Sequence, residues 1–205
     1  MRRPSKHLDH LALTMRVTID VGFIVVIFLM VTGKFKEATS FKEINKIQLP
    51  YATSPAISDP DGESATIYVG FGKIMLKIPD TIKKQTLTAI GNKYRVDFSK
   101  DEIAKFKTIA IVGMPVDSLK RYIARYDNNT YDYGLGIRID STKNELADWI
   151  KESKKACEKI TGERLHFYIY GDRREQYSSV KKVFDILQEQ GENKWSLITL
   201  KKSKQ

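Results

Sequence analysis

Cysteine and histidine are scarce in this sequence of 205 residues, which contains one Cys and three His. The single Cys157 excludes an intramolecular disulfide framework and any metal site built from several cysteines. His7, His10 and His166 are too scattered along the chain to suggest a metal site. The glycine-containing stretch Gly70-Phe71-Gly72 is not a phosphate-binding loop, because no helix start with Lys and Ser/Thr follows it. We therefore expect no metal, no cofactor and no enzymatic activity.

Long apolar runs are also rare, and residues 17–32 form the one that stands out, VTIDVGFIVVIFLMVT. As a helix its 16 residues span about 24 Å, somewhat less than the hydrocarbon core of about 30 Å. The flanking Arg16, Lys34 and Lys36 make up the difference by extending their charged ends to the interfaces. The run therefore predicts one membrane-spanning helix.

Two other interpretations of this run stay open. A basic start with Arg2, Arg3 and Lys6, followed by the apolar residues 21–31, is also compatible with a cleaved signal peptide of an exported protein. A buried core helix is the second alternative, although soluble helices usually keep a polar face. Basic residues are nearly balanced on the two sides of the run, so charge bias does not decide its orientation.

The formal net charge of +10 raises the question of nucleic-acid binding. Lysines and arginines are interleaved with acidic residues, and the sequence has no arginine-rich arm, zinc-ligand cluster or aromatic platform. We therefore expect no nucleic-acid partner. Attraction to anionic lipid head groups is the better use of this charge in a protein tethered to a membrane.

Asp20 lies one turn inside the apolar run. A carboxylate at that depth costs several kcal/mol unless it faces a partner or a watery cavity, and proton relays use such residues. The alternative is a helix-terminal position at head-group depth beside Arg16. A single helix cannot form a proton path, so the relay requires partner helices. Thr18, Thr32 and Gly22 are the residues suited to close helix packing.

Three stretches carry a family resemblance. The first is the apolar run, where an Asp opens the helix and F-x-M-V-T at residues 28–32 closes it. The second is Leu49-Pro50. The third is a closing unit with an I-x-x-D strand, a helix beginning near a Tyr and a G-x-x-x-x-x-L-I-T ending. The residues of this closing unit that carry the resemblance are Ile169, Asp172, Tyr177, Val180, Val183, Asp185, Leu187, Gly191, Leu197, Ile198 and Thr199. In this order the three stretches resemble the ExbD and TolR proteins.

The resemblance implies a motor subunit of the bacterial inner membrane, with a cytoplasmic N-terminus and a periplasmic domain. It implies proton coupling at Asp20, a pentameric multi-span partner such as ExbB, a second copy of the chain, and an energy transducer such as TonB. Leu49 and Pro50 would lie in a strand that contacts the second copy or the transducer. Landmarks within residues 79–140 are similar to an insertion in one branch of ExbD proteins, which favours ExbD over TolR. A membrane-anchored periplasmic binding module without a proton role is the alternative.

The predicted fold is α+β: one N-terminal transmembrane helix, then a small periplasmic α+β domain with a helical insertion. The predicted segments are a cytoplasmic tail (1–16), the membrane helix (17–35), a linker with the Leu49-Pro50 strand (36–63), the domain (64–200, insertion about 79–140) and a basic tail (201–205). The spacing of apolar residues predicts helices over 80–93, 99–106, 116–126 and 177–190, and a long helix capped by Ser141. It also predicts a hairpin over 66–78 around Gly70 and Gly72, and strands over 165–170 and 195–200. Ser99 and Glu102 form a capping-box pattern at the start of the second helix. We also expect one face of the long helix to be buried, and Asp172, Arg173 and Arg174 to open the last helix as a cap and solvated charge; the buried face comprises Leu146, Trp149, Ile150 and Cys157.

Overall fold

The computed structural model describes residues 21, 23, 24, 46–52, 62–126, 134–140 and 143–201. The chain divides into two compact units, Met1–Glu37 and Ala38–Gln205. In the first unit the described residues are Val21, Phe23 and Ile24, which are helical and exposed. Among all described residues, no helix has the length and apolarity needed to cross a membrane. Most of the run predicted to span the membrane lies outside the described residues, and the span stays a prediction.

The second unit is built on a mixed sheet. Its strands are β1 (Tyr51–Ala52), β2 (Ser64–Gly70), β3 (Lys73–Lys77), β4 (His166–Gly171), β5 (Trp195–Leu197) and β6 (Leu200–Lys201). Four of them form a sheet in the order β3-β2-β4-β5, in which β2, β4 and β5 are parallel and β3 is antiparallel to β2. The remaining two, β1 and β6, pair in parallel as a small second sheet. Strands and helices mix in this unit as an α+β fold requires.

The hairpin between β2 and β3 confirms the prediction made from the two glycines. Its two-residue loop is Phe71-Gly72, with φ values of 56° and 68°. Two consecutive positive φ angles are the mark of a type I′ turn, which matches the twist of paired strands. Only glycine adopts such an angle without steric cost, so Gly72 suits its position.

Three helices follow β3 where the sequence pattern places them. They are α1 (Asp80–Tyr94), α2 (Lys100–Thr108) and α3 (Val116–Arg125). The capping box predicted at the start of α2 is present. The Ser99 hydroxyl accepts from the Glu102 amide at 3.2 Å, and the Glu102 carboxylate accepts from the Ser99 amide at 2.8 Å. The helices of the predicted insertion could therefore be predicted from residues that lie close together in the sequence.

Two more helices, α4 (Glu145–Thr161) and α5 (Tyr177–Glu189), complete the unit. The prediction that Ser141 caps the long helix is wrong. Asn144 is the N-cap, and its side-chain oxygen accepts from the Ala147 amide at 3.2 Å. Ile139 and Asn144 form an antiparallel β-bridge. Because Asn144 is held in this bridge, the helix begins after it, at Glu145.

The single strand predicted over residues 195–200 is also corrected, because it divides into β5 and β6. The Ile198 amide still donates to the Ile169 carbonyl of β4 at 2.9 Å. Two residues later, the Leu200 amide donates to the Pro50 carbonyl at 2.8 Å. The chain therefore changes strand partner within residues 195–200, which no periodicity of the sequence reveals.

One face of the four-stranded sheet packs with the helices in a single hydrophobic cluster. The strands contribute Ala65, Ile67 and Val69 of β2 and Phe167 and Ile169 of β4, all at most 1% exposed. The residues predicted to face inward from α4 are buried, namely Leu146, Trp149, Ile150 and Cys157. Each such side chain contributes roughly 1.5–3 kcal/mol when fully buried.

The insertion also closes one edge of this sheet. The Leu76 amide in β3 donates to the Val112 carbonyl at 2.8 Å, and the Val112 amide donates to the Leu76 carbonyl at the same distance. Further along β3, the Ile137 amide donates to the Ile74 carbonyl at 2.8 Å. An exposed strand edge invites pairing with other chains. Residues of the insertion occupy the outer edge of β3 and remove that risk.

Several lysines hold the carboxyl ends of helices. The ammonium of Lys83, a residue only 3% exposed, donates to the carbonyls of Lys107 (3.1 Å) and Ile109 (2.8 Å) at the end of α2. Lys105 donates to the Ala124 carbonyl in α3 at 2.8 Å, and Lys154 donates to the Gln190 carbonyl after α5 at 2.8 Å. Cations are favourable at these ends because the helix dipole is negative there. Part of the positive charge therefore serves the fold.

Candidate functional site at the linker junction

Most of the predicted site residues fall outside the part of the chain that the structure describes. This applies to Asp20, the proposed proton-coupling residue, and to Thr18, Gly22 and Thr32. Leu49 and Pro50 are described, and both are half-buried within the second unit. The site that the structure reveals is therefore the place where residues 46–52 of the predicted linker meet the folded domain.

Residues 46–52 are held by the backbone of the domain's C-terminal part. The Arg173 amide donates to the Gln48 carbonyl at 2.7 Å, and the Leu200 amide donates to the Pro50 carbonyl at 2.8 Å. The parallel pairing of β1 with β6 then aligns Tyr51 with Leu200. The stretch predicted as a strand for a partner thus pairs within its own chain, and whether another chain takes this place stays a prediction.

Asp172 lies at the centre of this contact. It follows β4 directly, is 4% exposed, and its amide donates to the Val69 carbonyl at 2.8 Å. Its carboxylate accepts from the Arg174 amide at 2.9 Å, from Nε of Arg174 at 3.0 Å and from Nη2 at 2.6 Å. The hydrogen bonds from the Arg174 side chain hold the pKa of this carboxyl below its usual value.

The expectation that Asp172 caps the last helix is wrong. Helix α5 begins at Tyr177 with Gln176 at the N-cap. Asp172 lies before a turn, in which the Glu175 amide donates to the Asp172 carbonyl at 2.9 Å. Its side chain is directed to the Arg174 guanidinium instead of the helix, because that ion pair neutralises a carboxylate that the fold buries.

Arg173 and Arg174 make further contacts near this carboxylate. Nη2 of Arg174 also donates to the Lys46 carbonyl at 3.1 Å, and its guanidinium lies 5.4 Å from the ring centroid of Phe71. The guanidinium of Arg173 lies 5.8 Å from the ring centroid of Tyr51. Both distances are within the range of cation–π attraction. We name residues 46–52 together with Asp172, Arg173 and Arg174 the junction.

The β2–β3 hairpin completes the junction from the other side. A Cβ atom added at Gly70 would meet the Cβ of Asp172 at 3.4 Å and Cγ1 of Ile47 at 3.5 Å. The Gly72 amide donates to the Glu175 carboxylate at 3.1 Å. A Cβ at position 70 would therefore make only ordinary van der Waals contacts, and Ile47 packs directly beside Gly70 on the sheet. From the sequence, Asp172, Arg173 and Arg174 were interpreted as a helix cap and solvated charge, so the ion pair between Asp172 and Arg174 was missed.

The arrangement attaches residues 46–52 to the sheet. No group of three or more His, Cys, Asp or Glu residues in the described part of the chain could hold a metal ion. The junction combines backbone hydrogen bonds, an ion pair between the buried Asp172 and the half-exposed Arg174, and two arginines within cation–π distance of aromatic rings.

The comparisons with known proteins agree with the resemblance seen in the sequence. A family model described as biopolymer transport protein ExbD/TolR matches residues 8–202. This chain belongs to the ExbD/TolR family. Searches of curated proteins and of solved structures found no significant match. The residues matched by the ExbD/TolR model include both the apolar run with Asp20 and the whole junction.

Proposed function

We propose that this chain is a motor subunit that uses the proton-motive force to energise transport across the outer membrane. Asp20 is its proton-coupling residue, and Thr18, Gly22 and Thr32 line or pack the helix interface. The observation that supports the proposal is the family match over residues 8–202, because it joins a carboxylate in an apolar run to a folded domain. A relay carboxylate inside a membrane segment needs neighbouring helices, which favours a multi-span partner such as ExbB.

In this proposal the chain crosses the bacterial inner membrane once, with the N-terminus in the cytoplasm and the domain in the periplasm. It works as two copies within the partner ring and passes force to a TonB-like transducer, without enzymatic catalysis. The junction supports force transmission because it ties the linker to β4, the central parallel strand. The insertion at residues 79–140 favours an ExbD role over a TolR-like role in envelope maintenance.

A second candidate is a membrane-anchored periplasmic binding module without a proton role. An anchor tolerates loss of the Asp20 carboxylate, whereas a proton relay requires it. The test is transport driven by a pH gradient in the assembled complex, comparing the unchanged chain with Asp20→Asn and with Asp9→Asn as a carboxylate control. We expect Asp20→Asn to abolish transport while assembly and expression stay normal, and Asp9→Asn to leave transport unchanged. Full transport with Asp20→Asn would support the anchored module instead.

A further inference from the structure

The turn of the β2–β3 hairpin carries an exposed aromatic side chain. Phe71, the first of its two residues, is 38% exposed and has a φ of 56°. Asn, Asp and Gly are the residues that usually occupy this position of a type I′ turn, whereas a bulky side chain at positive φ is an outlier. Such an outlier costs folding free energy and indicates a functional position. The stability of the turn therefore does not explain why a large ring stands here.

A second apolar side chain lies beside this turn. Leu135 is 75% exposed, and it lines a small cleft together with Gly72. It stands on a turn of its own, between Gly134 with a φ of 62° and Gly136 with a φ of 85°. Exposed apolar side chains that lie together mark contacts with a partner or a membrane. We name Phe71 and Leu135 the apolar tip.

The apolar tip lies where the chain enters the domain. The Arg174 guanidinium is 5.4 Å from the ring centroid of Phe71, and Nη2 of the same side chain donates to the Lys46 carbonyl at 3.1 Å. Only residues 36–45 separate Lys46 from the predicted membrane helix at 17–35. An extended chain covers at most about 3.3–3.6 Å per residue, so this tether reaches about 35 Å. In the proposed function, the end of the domain that carries the apolar tip therefore stays close to the membrane.

The charged side chains beside the apolar tip leave little net charge. Arg173 and Arg174 are flanked by Asp172 and Glu175, and the Glu175 carboxylate accepts from the Gly72 amide at 3.1 Å. Contact with a partner therefore depends on the apolar side chains and not on electrostatic attraction. Apolar side chains next to arginines suit the interface of a bilayer, where the apolar part is buried and the charged ends stay in water.

We propose that the apolar tip inserts into the interfacial layer of the membrane that anchors the chain, and so docks the entry end of the domain on the lipid surface. This docking requires the membrane span of the proposed function, because the short tether supplies the proximity. Phe71 and Leu135 stand on tight turns, and single side chains on turns can enter a lipid interface. A stable contact with a folded protein needs a much broader surface.

Quenching by brominated lipids tests this docking. The full chain with Phe71→Trp is reconstituted in phosphatidylcholine vesicles whose acyl chains are either brominated or unbrominated. The matched control is Ile160→Trp, which places an indole at a similarly exposed apolar position near the end of α4, beside the start of β4 and far from the hairpin turn. The fluorescence of Trp149 and Trp195 is measured in the unchanged chain and subtracted. We expect brominated lipid to quench the indole of Phe71→Trp and to leave that of Ile160→Trp unchanged.

A second pair of variants separates insertion from folding. Leu135→Trp supplies a reporter on the other side of the apolar tip, and we expect brominated lipid to quench it as well. Adding Phe71→Asn removes the ring but suits the positive φ of the turn. The melting temperature should therefore not fall, whereas the quenching of Leu135→Trp should decrease. Unchanged quenching after Phe71→Asn would contradict insertion of the ring.

Washing the vesicles with alkaline carbonate tests the membrane span on its own. Release of the chain would overturn the span and the docking together. Retention of the chain without quenching of Phe71→Trp would overturn the docking alone and leave the apolar tip as a contact for a protein partner. Equal quenching of Phe71→Trp and Ile160→Trp would also overturn it, because lipid contact would then not be confined to the entry end of the domain.

Discussion

The guanidinium of Arg174 and the buried carboxylate of Asp172 form an ion pair in which Nη2 lies 2.6 Å from Oδ2. The same nitrogen donates to the Lys46 carbonyl at 3.1 Å, across 128 positions of the sequence. One side chain therefore neutralises a buried charge and attaches the segment through which the chain enters the domain. Stability and attachment depend on the same residue, and the two effects are separable by measurement.

Replacing Arg174 with Ala should loosen the junction. Asp172 would stay buried without its charged partner, which costs about 1–3 kcal/mol. The amides of Arg173 and Leu200 donate to carbonyls at residues 48 and 50, so their hydrogen exchange reports directly on the segment. We expect faster exchange at both amides. Asp185→Asn, which removes an exposed ion pair with Lys181, should leave both exchange rates unchanged, since such pairs contribute little.

The pH dependence of stability should carry the signature of Asp172. Its folded pKa is lowered, so the folded state binds its proton less readily than the unfolded state. Its contribution is therefore fully present above the ordinary pKa of about 3.9 and is lost as the pH falls through the lower folded value. In Asp172→Asn this part of the acid-induced destabilisation should be absent. Urea unfolding of both proteins between pH 3 and pH 6 measures the difference, and parallel curves would contradict the assignment.

Lys83 and Lys84 are adjacent but should respond differently to replacement by Met. Lys83 is buried and donates to two carbonyls at the end of α2, whereas Lys84 is exposed. Lys83→Met leaves those carbonyls without their donor and should cost about 1–3 kcal/mol of unfolding free energy. Lys84→Met should change it by less than about 0.5 kcal/mol. Thermal unfolding followed by the fluorescence of Trp149 compares the two, and equal melting temperatures would refute the capping role of Lys83.

Glu145 should destabilise the domain as the pH rises. It is 1% exposed, and its carboxylate accepts from the Val116 amide at 3.0 Å. Burial raises its pKa above the ordinary value of 4.5. The folded state therefore holds this proton more tightly, and the resulting stabilisation is present below pH 4.5 and lost as the pH rises through the folded pKa.

Glu145→Gln keeps the acceptor for the Val116 amide and removes the titration. We expect its unfolding free energy near pH 7 to stay within about 1 kcal/mol of the unchanged chain, with less variation between pH 4 and pH 7. Glu145→Ala removes the acceptor as well and should be less stable than Glu145→Gln at every pH. Denaturation curves at several pH values test both expectations, and a Gln variant as unstable as the Ala variant would contradict them.

The helices of the insertion could be predicted because their signals are local. Apolar residues recur at helical spacing within each segment, and the Ser99–Glu102 capping box spans only three residues. In the β2–β3 turn the local signal comes from Gly72, since Phe71 is not a residue that favours the positive φ it adopts. Errors began where two local signals compete, as between Ser141 and Asn144. There a bridge from Ile139 decides where the helix starts.

The sequence by itself determined the family, the helices and the β2–β3 hairpin, and the order of the elements, since each rests on residues close together in the chain. It also supplied the hypothesis that Asp20 couples proton flow, which rests on the position of this carboxylate in an apolar run. Only the tertiary structure decided that Asp172 is an ion-paired anchor, that the last strand divides between two sheets, and that Lys83 ends a helix. Each of these depends on contacts between residues far apart in sequence, and burial sets the energy of such contacts. Burial is a property of the packed molecule and of no single segment.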